Sequence, residues 1–273
     1  MLNKKNSNNH RKPVAMVLLE KKENGVAILT FNAPPLNLFS LAMTRALDYR
    51  LHEISDDQEI RCLIVTGAGE KSFGAGSDVK EFPDLIKTDT VIEKKLRFEM
   101  EVHNRLENLP QPTIAAIQGI ALGGGLELAL CCDLRVIADD AYLGFPEIKL
   151  GVYPGTGMIL LPRLIGESRA KELMYLGKKI DARQALHWGL VDKVVPRKDV
   201  LKNAVEIARE IAYYPSITEK VIKKGINMIR GLSREESIEI CLNLSKKVFD
   251  SKDTKEAVEA FIEKRKPHFK HKE

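Results

Sequence analysis

Short runs that are apolar at nearly every position, two of them ending in glycine, alternate with amphipathic helical patterns through residues 16–198. The runs "CLIVTG" (62–67) and "PTIAAIQG" (112–119) are the clearest. A strand without polar alternation is buried on both faces, as in a parallel sheet covered by helices. The segments "LAMTRALDYRLHEI" (41–54) and "VIEKKLRFEMEVHNRLENL" (91–109) read as helices long enough to serve as crossovers. Ser40 is placed to cap the first of them. Upstream, residues 15–32 read as two strands joined by a turn at Asn24-Gly25, a strong hairpin signal, and Pro34-Pro35 then breaks regular structure. "LRVIADDAYLGFP" (134–146) gives two further strands, residues 165–177 and 181–189 give helices, and "LVDKVVP" (190–196) returns to strand.

The pattern changes at residue 199. Four amphipathic helices follow with no strand between them, over 200–214, 217–231, 233–249 and 254–266, and Ser233 with Glu236 forms a capping box. The expected organisation is a polar, basic, disordered tail over 1–15, an α/β core carrying the active site over 16–198, and a helical region over 199–273.

A chain of 273 residues, 44% hydrophobic and 30% charged, has enough apolar material for a sizeable core. No apolar run approaches the roughly 20 residues that span a bilayer. The first thirteen residues have no hydrophobic stretch of the secretory kind. Cys62, Cys131, Cys132 and Cys241 lie in apolar segments without C-x-x-C spacing, as reduced core residues of a cytoplasmic protein do. No histidine–cysteine cluster has metal spacing, so no metal is expected. The net charge of +5 is spread along the chain, unlike the concentrated patch of a nucleic-acid binder.

The segment "GIALGGGLELALCCD" (119–133) carries two local liabilities. Glycine inside a helix costs roughly 1 kcal/mol against alanine. Glu127 sits among leucines, where a carboxylate resists burial. A strand that enters a glycine turn and opens a helix is an anion site, because the first helical N–H groups lack partners. "FGAGSDVKEF" (73–82) repeats the device after another buried strand. Two such loops can aim one N–H apiece at a single oxygen, forming an oxyanion hole; they serve equally as close-packed turns. Glu147, in "GFPEIKLGVYPGTG" (144–157), stands at the edge of irregular backbone. His103 and His187 read as structural or exposed. There is neither a G-x-S-x-G elbow nor a dinucleotide fingerprint.

These segments, with "LPRLIG" (161–166), "ALHWGLVDKVVP" (185–196) and "AFIEKRKPHF" (260–269), resemble the crotonase superfamily, the enoyl-CoA hydratase/isomerase family, in family order over residues 17–269. The resemblance implies a spiral core of repeated ββα units with a C-terminal all-helical region. It implies reversible hydration of a trans-2-enoyl-CoA in fatty-acid β-oxidation. It places the amides of Ser77 and Gly124 in the oxyanion hole, with Glu127 and Glu147 as the acid–base pair: Glu147 the acid and Glu127 its partner in activating water. Ser77, Asp78, Val79 and Lys80 would line the acyl-CoA path. Gly155 would lie beside the water, and Phe261 and Lys264 would hold the CoA nucleotide, often across a subunit boundary. No cofactor is implied beyond the coenzyme A of the substrate, and the expected assembly is a homotrimer or hexamer.

The sequence departs from the family pattern in three ways, one being Leu126, which stands where a small residue or cysteine is common. Ser77 replaces a common alanine, which a backbone role tolerates. Met158, Ile159 and Leu160 replace smaller or polar residues, which narrows and dries a pocket wall or an adjacent packing face. Other chemistries of the same fold (isomerase, specialised dehydratase, thioester hydrolase) remain open, as does a non-catalytic acyl-CoA or RNA binder.

Overall fold

A computed structural model describes residues 16–271. The expected tail over 1–15 lies outside the described residues. The strands are β1 (Val17–Lys21), β2 (Val26–Phe31), β3 (Cys62–Gly67), β4 (Ser72–Gly74), β5 (Thr113–Ile117), β6 (Ile120–Leu122), β7 (Leu134–Ala138), β8 (Tyr142–Gly144), β9 (Lys179–Asp181) and β10 (Lys193–Val195). The helices are α1 (Leu41–Asp56), α2 (Phe82–Lys87), α3 (Arg97–Glu107), α4 (Gly124–Cys131), α5 (Gly155–Ile165), α6 (Glu167–Leu176), α7 (Ala182–His187), α8 (Val200–Tyr213), α9 (Ser216–Met228), α10 (Arg234–Asp250) and α11 (Lys252–Glu263).

Two sheets share the strands. One runs β1-β2-β3-β5-β7-β10, antiparallel at the β1–β2 hairpin and parallel thereafter. The second runs β4-β6-β8-β9, parallel except for β9. Strands of the first sheet alternate with those of the second: β3 leads to β4, β5 to β6 and β7 to β8, each pair followed by helix. This is the repeated ββα plan that the resemblance implies. The apolar strands explain it, since β3 and β5 are buried at every residue.

Helix starts obey local chemistry. The Ser40 side chain accepts the Met43 N–H, and Ser233 with Glu236 closes a full capping box on α10. The alanine face of α8, Ala204, Ala208 and Ala212, is buried against the six-stranded sheet. Beyond it, α9, α10 and α11 form a helical region that exposes large apolar side chains, among them Ile226, Leu242, Phe249 and Ile262. Cys62, Cys131 and Cys132 are buried, as expected, but Cys241 is exposed. The reason is that α10 buries only Leu244 and half-buries Ile240 and Val248, so the face carrying Cys241 and Leu242 is left open among the described residues.

Candidate active site

The parallel strands β4, β6 and β8 end at one edge of the second sheet, and each delivers a residue there. Ser77 follows β4, Gly124 follows β6 and Glu147 follows β8. The pairing fixes their proximity, because neighbouring parallel strands finish side by side.

Glycine is required where these loops meet. Gly123 has φ +54, and a Cβ there would stand 2.9 Å from Glu147 Oε1. A Cβ on Gly125 would overlap the Gly74 carbonyl, so α4 rests main chain against main chain on β4. The loops approach closely enough that a Cβ on Gly124 would be 3.8 Å from the Ser77 nitrogen, and one on Gly76 would be 3.8 Å from the Gly124 nitrogen. Gly124 opens α4, so its N–H has no helical partner. The Ser77 segment is pinned by two bonds, Phe39 N–H to Gly76 O and Asp78 N–H to Phe39 O, both 3.0 Å. Among the described residues, no acceptor takes either the Ser77 or the Gly124 N–H.

The two carboxyls flank this point. Glu127, in the first turn of α4, is buried, and its Oε1 accepts the Gly157 N–H at 2.9 Å. Burial is the main cause that pushes its pKa up to about 7; the Gly157 bond opposes the rise and the nearby Glu147 charge adds to it. Burial likewise pushes Glu147 up to about 7. Its Oε2 is buried without a hydrogen-bond partner. A carboxyl with an unpartnered buried oxygen favours the neutral form, and one that accepts an amide N–H favours the charged form.

The other expected positions scatter. Asp78 caps the short 3-10 turn Val79–Glu81 and accepts the Lys80 N–H, while Val79 and Lys80 are exposed. Gly155 begins α5 beside Met100, where a Cβ would be 3.2 Å from its sulfur. Phe261 is 85% exposed near the end of α11, and Lys264 is the exposed left-handed residue that ends that helix. Neither lines the cavity at Glu127. Met158 and Ile159 are half-exposed on α5 and do not line it either, and Leu160 packs in the core. The helical turn of α5 thus directs Met158 and Ile159 away from this cavity and Leu160 into the core.

Sequence reasoning missed part of the site. Lys95, Glu99 and His103 lie on one buried stripe with Val102 and Leu106. The i, i+4, i+8 spacing of three titratable residues on an apolar stripe was the available signal. His103 is buried, with Nδ1 2.8 Å from Thr156 Oγ1, whereas His187 is exposed. Glu99 and His103 line the Glu127 cavity together with Ser77 and Gly124.

The comparisons agree with this architecture. The enoyl-CoA hydratase/isomerase family model matches residues 21–272. A short-chain-enoyl-CoA hydratase of Clostridium acetobutylicum is 40% identical over 255 residues, covering 92% of this chain and 95% of the relative. A crotonyl-CoA hydratase of Syntrophomonas wolfei is 36% identical over 262 residues, covering 93% and 97%. The crystal structure of an enoyl-CoA hydratase from Bacillus anthracis superposes with a TM-score of 0.89 at 37% identity, covering 94% of this chain and all of that one. By sequence and by fold, this chain belongs to the enoyl-CoA hydratase/isomerase family of the crotonase superfamily.

Proposed function

We propose that the protein catalyses the reversible addition of water to a short trans-2-enoyl-CoA, giving a 3-hydroxyacyl-CoA. The observation that carries this reading is the convergence of two carboxyls, the buried Glu127 and the half-buried Glu147, on the glycine turn whose amide neighbours that of Ser77. The names of the relatives support the same chemistry.

The thioester oxygen accepts the Ser77 and Gly124 N–H groups. Water oxygen bonds to C3, the C2–C3 π electrons move toward the thioester, and negative charge gathers on that oxygen. Donors held in place for the charged state lower the barrier, and loss of one such donor typically costs about 10²–10³ in rate. Glu127, whose Oε1 is bonded by the Gly157 amide, takes the proton of the attacking water. Glu147, with its unpartnered buried oxygen, holds a proton and gives it to C2. A proton shift between the carboxyls, or through solvent, then resets the pair. The reaction needs only water and the ester. Asp78 to Lys80 run beside the Ser77 loop along the path of the thioester arm, and Phe261 and Lys264 hold the nucleotide of an ester seated in a neighbouring copy.

The test is hydration of crotonyl-CoA by Glu127→Gln and by Glu147→Gln. Each is expected to lose about 10²–10⁴ in kcat while butyryl-CoA binding changes little. Near-parent rates in both variants would overturn the assignment.

A further inference from the structure

Resting on the hydratase reading, we propose that the buried face of α3 chooses the acyl group. Glu99 and His103, with Thr44, close the space beyond the reacting carbons and favour a short enoyl group ending in a hydrogen-bond donor such as a hydroxyl. A longer alkyl chain and a carboxylate end are both disfavoured.

Size is the first argument. The space touching Ser77, Gly124 and Glu127 measures about 10 Å³, roughly the room that one water needs. Glu99, His103 and Thr44 line this space beside the apolar Phe39, Leu47 and Leu128, so on this reading a chain reaching past C4 meets polar groups.

Charge is the second. Lys95 is fully buried, and its Nζ lies 2.9 Å from Glu99 Oε1 and 2.8 Å from Glu81 Oε2. It also donates to the Phe39 carbonyl at 3.4 Å. Glu81 is held in turn by the Leu41 N–H, at 3.0 and 3.1 Å to its two oxygens. One cation therefore serves two carboxyl groups, and burial raises the Glu99 pKa against the opposing pull of Lys95. The Ser77 hydroxyl also donates to Glu99 Oε1, at 3.4 Å. Both contacts to Glu99 fall on Oε1, and Oε2 takes none among the described residues. His103 supplies no offsetting charge, since burial pushes its imidazole down to about 4. Glu127 faces the same space from α4. A floor rich in carboxyl oxygens welcomes an O–H, disfavours a carboxylate, which brings only further acceptors, and leaves an alkyl end facing desolvated polar groups.

The experiment compares kcat/KM for crotonyl-CoA, 4-hydroxybut-2-enoyl-CoA, hex-2-enoyl-CoA and glutaconyl-CoA. The parent protein is expected to prefer the hydroxylated ester to the hexenoyl and glutaconyl esters by about tenfold or more. Glu99→Leu leaves Lys95 paired with Glu81 and is expected to bring the hydroxyl-over-hexenoyl ratio to about one. Glu99→Gln keeps the shape, so it is expected to raise the glutaconyl rate while hexenoyl stays slow. A parent that hydrates crotonyl-CoA but handles the other three alike overturns the proposal, as do ratios that neither variant moves. A parent that hydrates none of the four overturns the hydratase reading itself.

Discussion

Glu127 and Glu147, both raised by burial to about 7, stand on either side of one glycine turn, and the Glu147 charge adds to the rise at Glu127, so they are expected to titrate as a pair. Hydration needs one ionised and one protonated, so kcat/KM for crotonyl-CoA is expected to be bell-shaped, centred near neutral pH. A rate that rises steadily from pH 5 to 9 would contradict the pairing. The same burial has a consequence for stability. Glu127 is raised from 4.5 to about 7, so its contribution to stability is fully present below the unfolded value and is lost as pH climbs through the folded one. Glu127→Gln cannot ionise, so its Tm is expected to gain on the parent between pH 5 and pH 8, read by calorimetry. A constant difference across that range would show that Glu127 ionises freely. Glu127 was legible in the sequence because its neighbours are leucines. Lys95 and Glu99 were not, because "EKKLRFEMEVH" reads as a solvated helix face by composition, and only tertiary packing turns that stripe inward.

At the scale of elements, the seat of α4 on β4 is the contact on which the Ser77–Gly124 spacing depends. Gly125→Ala must push α4 off the Gly74 carbonyl, and a loss of about 3 kcal/mol or more is expected from overpacking a rigid contact, measured by denaturant unfolding. Ser40→Ala removes one helix cap and is expected to cost about 1 kcal/mol; full parental stability would show the cap to be idle. The longer elements followed from period and caps, as the β1–β2 hairpin and α1 illustrate. The three-residue strands β4, β6 and β9 are too short to carry a period, and they owe their pairing to the sheet around them. Helix α5 was hidden by Gly155 and Gly157 in its first turn and Pro162 within it, all poor helix formers, yet Leu160, Leu161 and Ile165 bury enough apolar surface to hold it.

At the scale of the whole molecule, no helix among the described residues is long and apolar enough to cross a membrane, and yet α9, α10 and α11 present Ile226, Leu242, Phe249 and Ile262 to solvent. We propose that further copies of this chain cover these side chains. Sedimentation is then expected to give a small multiple of the chain mass, and Phe249→Asp a lighter species; a monomeric parent would refute this. The far end of α11 gives the assembly a second meaning. Phe261 and Lys264 stand out from their own subunit, so on this reading each ester is grasped by its acyl end in one copy and its adenine end in the next. Ligand then acts as glue: saturating butyryl-CoA should tighten self-association, whereas a thioester clipped back to its pantetheine arm should leave it where it was.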